Sequence, residues 1–221
     1  MKQKQETLEV INVNSIVDFT LVDPRATIVD IEKICDIAYK NQYNAVCVAP
    51  CNVAIAKGYI LKNLQGLVKV SSVIGFPLGF STMNNKLQEV KQAFADGADE
   101  IDVVINIGKA KSLDYDYVKE ELAFIKKVSR KHIVKAIIET CYFDTNEIIK
   151  LCKICASAGI DYIETSTGFG TSGASEEIIN IILKETKGKC LVKASGGIRH
   201  RQTAVAYANM GVRRIGTSSV I

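Results

Sequence analysis

Three charged side chains stand inside apolar, β-branched runs where charge is costly: Asp102 in Glu-Ile-Asp-Val-Val, Lys135 in Val-Lys-Ala-Ile and Lys193 in Val-Lys-Ala. A buried ion-pair network accounts for any one of them taken alone; three converging on one end of one sheet point to a site. Neighbouring runs end in further polar residues, namely Asp18 and Thr20, Cys47, Asn106, Glu139, Glu164 to Thr167, and Ser195. Carboxylates beside amines are the groups needed to move protons and to act on a carbonyl. A second signal concerns phosphate. Ser195-Gly196-Gly197 follows one late run and Gly216-Thr217-Ser218-Ser219 the next, with Gly168, Gly170 and Gly173 after the run before them. Turns of this kind present backbone N–H groups and hydroxyls to an anion, and Arg199 adds charge. Glycine also serves ordinary tight turns, so one such loop says little; two in succession predict a phosphorylated ligand.

The elements that must hold these residues alternate. Strands are predicted at Ile16–Phe19, Ala45–Val48, Val68–Ile74, Glu100–Ile105, Ile133–Ile138, Asp161–Ile163, Leu191–Ala194 and Arg214–Thr217. Helices are predicted at Ile28–Lys40, Val53–Asn63, Asn84–Asp96, Tyr115–Lys127, Thr145–Ala158, Ser175–Thr186 and Gln202–Met210. Thr27, Asp144 and Ser175 are N-caps, and Gly97, Gly159 and Gly211 fall where helices stop. A doubly wound open sheet uses the same elements, but eight near-equal units favour closure into a (β/α)8, or TIM, barrel of class α/β. In such a barrel the active site lies at the C-terminal ends of the strands, and the loops after strands seven and eight commonly bind phosphate. The sequence stops directly after strand eight, so the last outer helix is predicted to be short or absent. The first 14 residues, or a second copy in a homo-oligomer, would then cover that flank.

Composition narrows the partners. The 221 residues predict a single domain over 1–221, and 48% hydrophobic with 24% charged residues allows a core without staples. The net charge of +4 is scattered, and its densest run, Lys126-Lys127 to Lys131-His132, reads as a solvated helix end and not as a nucleic-acid surface. Seven cysteines, with no secretory apolar stretch near the start, predict reduced thiols and a cytoplasmic location. Cys152 and Cys155 form a C-x-x-C inside an apolar-periodic helix, where packing is their expected role. With His132 and His200 the only imidazoles, neither a metal nor any cofactor is predicted. No apolar run approaches the ~20 residues of a membrane span.

Tyr162-Ile163-Glu164-Thr165-Ser166-Thr167-Gly168-Phe169, read with Val192-Lys193-Ala194-Ser195-Gly196-Gly197-Ile198-Arg199, closely resembles the strand-six and strand-seven ends of the deoxyribose-phosphate aldolases, class I aldolases built on a TIM barrel. The likeness covers nearly the whole chain. Val17 to Leu21, Cys47 to Pro50, Val73 to Gly79, Gly97 to Gly108, Lys135 and Ile137 to Thr140 are all similar to the family's pattern, with departures at Phe19, Asp23 (often lysine) and Ala49. The resemblance implies reversible cleavage of 2-deoxyribose 5-phosphate to acetaldehyde and glyceraldehyde 3-phosphate through a lysine Schiff base. It implies Asp102 as the proton-handling acid, Lys193 as the second lysine that keeps the nucleophile neutral, and a small phosphorylated sugar or aldehyde as partner. Asp18, Thr20, Cys47, Lys135 and Thr167 are expected around the substrate. Gly168, Ser195, Gly196, Gly197, Arg199, Gly216, Ser218 and Ser219 are expected around its phosphate.

In the family, the residue before Thr-Ser-Thr-Gly is the Schiff-base lysine; here it is Glu164. A carboxylate forms no imine. It is expected to pair with Lys193, raising the lysine's pKa and lowering its own. Three readings follow: a sugar-phosphate-binding protein without aldolase turnover, an enzyme of altered acid/base chemistry using Glu164 and Lys193, or a Schiff base on Lys193 itself. The last needs a neutral amine, which an adjacent carboxylate opposes.

Overall fold

The computed structural model describes residues 12–221. Eight parallel strands close on themselves in chain order: β1 (Val17–Leu21), β2 (Ala45–Val48), β3 (Lys69–Ile74), β4 (Glu100–Val104), β5 (Ile133–Ile137), β6 (Tyr162–Glu164), β7 (Leu191–Ser195) and β8 (Arg214–Thr217). Closure is made by β8 on β1, with Asp18 beside Gly216. The structure is thus a TIM barrel, as the alternation of elements predicts.

Seven helices of ten residues or more wrap the barrel: α1 (Ile28–Lys40), α2 (Val53–Asn63), α3 (Met83–Ala95), α5 (Tyr115–Ser129), α6 (Thr145–Ser157), α7 (Glu176–Thr186) and α8 (Arg201–Met210). The caps follow from side chains that satisfy orphan N–H groups. Thr27 and Asp144 form capping boxes with Asp30 and Glu147, and the Ser175 hydroxyl accepts from the Ile178 N–H. Gly211 ends α8 in the left-handed region at φ 114°. A five-residue helix, α4 (Ile107–Lys111), was not predicted; it starts at Asn106, whose side chain accepts from the Lys109 N–H. Strand β6 also runs one residue later than predicted. The Asp161 carboxylate accepts from the Val134 N–H at 2.8 Å, and this fastens Asp161 to the strand's entrance while drawing Glu164 into the sheet.

Successive strand residues face opposite ways, and the two faces differ in kind. The outward set, including Val46, Ile101, Val103, Val134, Ala136, Ile163, Val192 and Ile215, joins the helices in one continuous apolar core. Cys152 and Cys155 lie fully buried in that core as free thiols. The inward set carries the charges.

Among the described residues no helix follows β8; Ser218 to Ile221 continue without one. The expected cover from the N-terminus is met in part by the turn Val13–Ile16, which packs against α8 with Val13 and Ile16 buried. Arg201 reinforces it by donating to Asn14 Oδ1 at 2.6 Å. The rest of that expectation falls on residues 1–11, outside the described residues. Among the described residues no helix is long and apolar enough to cross a membrane.

Candidate active site

The inward side chains form two ionic tiers that share Asp18 and Asp102. Lys135 is the centre of the lower one. Its Nζ lies 2.7 Å from Glu100 Oε2, 2.8 Å from Asp102 Oδ1 and 3.3 Å from Asp18 Oδ2, and 3.1 Å from the Ser71 hydroxyl. Arg214 donates to Glu100 Oε1 at 3.2 Å, approaches Asp18 Oδ1 at 3.4 Å and lies over the Tyr162 ring. Burial opposes the charge on Lys135, but Asp102, Asp18 and Glu100 outweigh it and raise its pKa above the ordinary lysine value. Asp18 and Lys135 were expected against substrate. Both are fully buried beneath the cavity and do not line it, and the Lys135 ammonium is spent on carboxylates.

Lys193 commands the upper tier. Its Nζ is 2.6 Å from Asp102 Oδ2, 3.2 Å from Asp18 Oδ2 and 3.3 Å from Glu164 Oε1. An ammonium has three protons, and three carboxylates surround this one. Burial disfavours its charge, yet Asp102, Glu164 and Asp18 carry its pKa well above the usual lysine value. Asp102 shows the reverse balance. Burial raises its pKa, but Lys135 and Lys193 together hold it well below the usual carboxylate range. Cys47 adds a thiol contact to Asp102 Oδ2 at 3.3 Å, and burial pushes that thiol far up, so it stands neutral.

Glu164 is where the sequence-based expectation fails. Its pKa is pushed up to about 7, not lowered. Burial is the main cause; Lys193 pulls the other way, and Asp102 pushes up again. The reason lies in the count of charges. Lys135, Lys193 and Arg214 already balance Asp18, Glu100 and Asp102, so Glu164 is a surplus buried carboxyl. The hydroxyl of Ser195 agrees with this. It lies 2.8 Å from both Glu164 Oε1 and the Ser166 carbonyl oxygen, and its single proton cannot serve both. A proton on Glu164 satisfies both contacts. Glu164 Oε2 is buried with no hydrogen-bond partner among the described residues.

A pH dependence of stability follows. The folded state holds a proton on Glu164 up to about pH 7, whereas a free glutamate releases it near 4.5. The native state therefore binds more protons across that window, and this contribution is complete below 4.5 and lost as pH rises through 7. Denaturant titrations are expected to show Glu164→Gln losing a few kcal/mol less than the parent between pH 5 and pH 8.5, on the order of the linkage for two pKa units.

Above these tiers opens a cavity of about 420 Å³. Cys47, Asp102, Glu164 and Lys193 line it, with Thr20 and Ser195 beside them. The predicted phosphate residues Gly168, Gly196, Gly197, Arg199, Gly216 and Ser218 also line it. Gly168, Gly196 and Gly197 have positive φ, and their N–H groups find no backbone acceptor among the described residues. Arg199 is exposed beside them.

Four assignments change in detail. The Ser195 hydroxyl is engaged by Glu164 and Ser166, not free for phosphate. Thr167 lines the cavity, but its hydroxyl proton goes to Glu139, which also accepts from the Thr167 N–H at 3.1 Å. Ser219 does not line the cavity; its N–H donates to Thr217 Oγ1 at 3.0 Å. Gly216 makes room: a Cβ there would lie 2.8 Å from Ser195 Cβ and 3.1 Å from Lys193 Cε. A Cβ on Gly173 would meet the Gly196 carbonyl at 2.1 Å, so the loops after β6 and β7 touch backbone to backbone.

Three contributors escaped the sequence reading. Glu100 and Arg214 precede Asp102 and Gly216 by two residues, so strand alternation alone would have placed them on the inward face. The third is Phe169, which meets Phe76 of the turn after β3 edge to face at 5.4 Å to form an apolar wall of the cavity; no charge anomaly marks it.

With this geometry in place, likeness to known proteins is informative. Residues 12–218 match the model of the DeoC/LacD family aldolases. The deoxyribose-phosphate aldolase of Thermococcus kodakarensis is 47% identical over 205 residues, 92% of this chain and 91% of that protein. That of Finegoldia magna is 44% identical over 208 residues, 94% of this chain and 96% of its own. Among solved structures, the aldolase QR15 superposes with a TM-score of 0.90 at 40% identity, covering 95% of this chain and 92% of that one. The tetrameric deoxyribose phosphate aldolase from Aeropyrum pernix follows at 0.86 and 34% identity, covering 94% and 87%. A closed barrel with these strand ends, matched along almost its whole length, belongs to the DeoC/LacD aldolase family.

Proposed function

We propose that this protein binds a phosphorylated sugar or aldehyde at the mouth of the barrel and does not cleave it through a lysine imine. The observation that carries this reading is the carboxyl of Glu164 beside a Lys193 whose ammonium is ringed by three carboxyl groups, with Asp102 nearest at 2.6 Å. Imine formation needs a neutral amine that attacks a carbonyl and later loses water. Glu164 offers none, and Lys193 is held as a cation. The relatives named deoxyribose-phosphate aldolase support 2-deoxyribose 5-phosphate as the ligand class. In this reading Gly168, Gly196, Gly197, Ser218 and Arg199 take the phosphate while the carbonyl end approaches Lys193 and Asp102. The free thiols support a reducing compartment, the cytoplasm.

Two measurements test it. Borohydride reduction in the presence of acetaldehyde or 2-deoxyribose 5-phosphate is expected to leave no adduct; a stable reduced adduct on Lys193, located by peptide mass spectrometry, would overturn the reading. Calorimetry is expected to detect 2-deoxyribose 5-phosphate binding that inorganic phosphate competes away, weakened about 10-fold by Arg199→Ala. No binding at millimolar ligand sinks the proposal.

A further inference from the structure

The mouth of the barrel contains one group that the imine reading leaves without a role. Glu164 is 4% exposed, lines the cavity, and has one carboxyl oxygen with no partner among the described residues. Its other oxygen is engaged by Ser195 at 2.8 Å and Lys193 at 3.3 Å, which fixes the carboxyl plane from one side. Register places Glu164 directly beside Lys193 on the neighbouring strand, and the absent Cβ of Gly216 leaves space against both side chains. A carboxyl anchored by one oxygen and unpaired at the other, next to a fixed cation, is an arrangement suited to take a proton from carbon while charge develops on a nearby oxygen.

We propose that Glu164 and Lys193 act as a proton-transfer pair that removes and returns the proton on the carbon adjacent to the carbonyl of a phosphorylated aldehyde or hydroxyketone, leaving every carbon–carbon bond intact. This rests on the phosphorylated-carbonyl binding proposed above. The step is balanced within the site. The C–H bond breaks and its proton goes to a Glu164 oxygen. The C–H electron pair forms the C=C bond of an enediolate, and the carbonyl π pair moves to oxygen, where the Lys193 ammonium faces the new negative charge. Reversal returns a proton from Glu164 to carbon, and nothing is oxidised or reduced.

Other groups around the cavity are poorer bases. Both Asp102 oxygens are committed, to Lys193 at 2.6 Å and to Lys135 at 2.8 Å. The Cys47 thiol is neutral, and Lys193 keeps its proton. The groups that set the titration of Glu164 are Lys193 on β7, Asp102 on β4 and Lys135 on β5, with Ser195 as hydrogen-bond partner. Their balance puts the carboxyl at about 7, so near neutrality it exists in both forms and serves as base and then as acid.

The test is hydrogen exchange at carbon, with glyceraldehyde 3-phosphate in D2O followed by proton NMR, and binding of the same compound measured by calorimetry. The parent protein is expected to wash out the C2 proton at least about 100-fold faster than buffer, a rate typical of a positioned general base. The rate should rise with pH through about 7 and then level. Glu164→Gln should bind glyceraldehyde 3-phosphate yet exchange at the buffer rate, while Glu164→Asp keeps part of the rate. Binding without exchange in the parent, or undiminished exchange in Glu164→Gln, overturns the proton-transfer proposal and leaves the binding reading standing. Failure of glyceraldehyde 3-phosphate to bind overturns the proton-transfer proposal, and failure of 2-deoxyribose 5-phosphate to bind as well overturns both.

Discussion

Glu164→Lys is expected to create aldolase activity, which the proposed function denies to the parent. The substitution removes the surplus carboxyl and sets an amine beside Lys193, whose ammonium is already satisfied by Asp102 at 2.6 Å and Asp18 at 3.2 Å. Burial and the adjacent positive charge both disfavour protonation of the new amine, so a useful fraction is neutral and nucleophilic. Ser195 Oγ remains as its hydrogen-bond partner, and Asp102 remains ionised to handle protons. Borohydride should then trap acetaldehyde at position 164. Retro-aldol cleavage of 2-deoxyribose 5-phosphate should rise roughly 10³-fold or more over the parent, the scale on which a single nucleophile acts. A variant that folds and binds the sugar phosphate, yet neither traps nor cleaves, would shift attention to the other departures from the family's pattern. Asp23 comes first among them, because it lines the cavity, whereas Phe19 packs on Tyr43 away from it.

The largest effect on stability is expected one tier lower. Lys135→Met leaves the hydrophobic stem but removes the charge that Asp18, Glu100 and Asp102 share at 2.7 to 3.3 Å. Removing one partner of a buried pair strands the other, at a cost of about 3–5 kcal/mol. Here three carboxylates are stranded and only Arg214, Lys193 and the half-exposed Lys69 remain to hold them. Thermal unfolding should move down by roughly 10 °C, at 2–4 °C per kcal/mol for a chain of this size. The loss should shrink in acid, where the stranded carboxylates take up protons. A Tm within a degree or two of the parent would mean that the ionic tier is redundant.

Much of this architecture was legible in the sequence for local reasons. The bounds of α1, α2, β2 and β8 match the prediction residue for residue, because caps and abrupt changes of composition mark them. The five residues of α4 were missed, since one turn and a half bears too little periodicity to read. The site was legible as chemistry, because a charge inside a β-branched run is visible in the string. Depth was not. Asp102 and Lys135 are register partners on adjacent strands, as are Glu164 and Lys193, yet one lysine lies under the cavity and the other in it. That difference comes from barrel stagger, which no single strand encodes. The titration of Glu164 was misjudged for a related reason. One neighbour was weighed where the whole enclosed set, with Asp102 already answering Lys193, decides the outcome.

The contact between Gly173 and Gly196 has a consequence for descent. It joins two loops through main-chain atoms, so the curvature of the anion cradle does not depend on which side chains surround it. Residues on its border, such as Phe169 and Arg199, are then free to drift and alter which molecule is held. If the proposed function holds, the cradle is expected to keep its shape whether lysine or glutamate stands at the neighbouring strand end. A site built this way would let the chemistry at that strand end change while the proposed phosphate binding is kept.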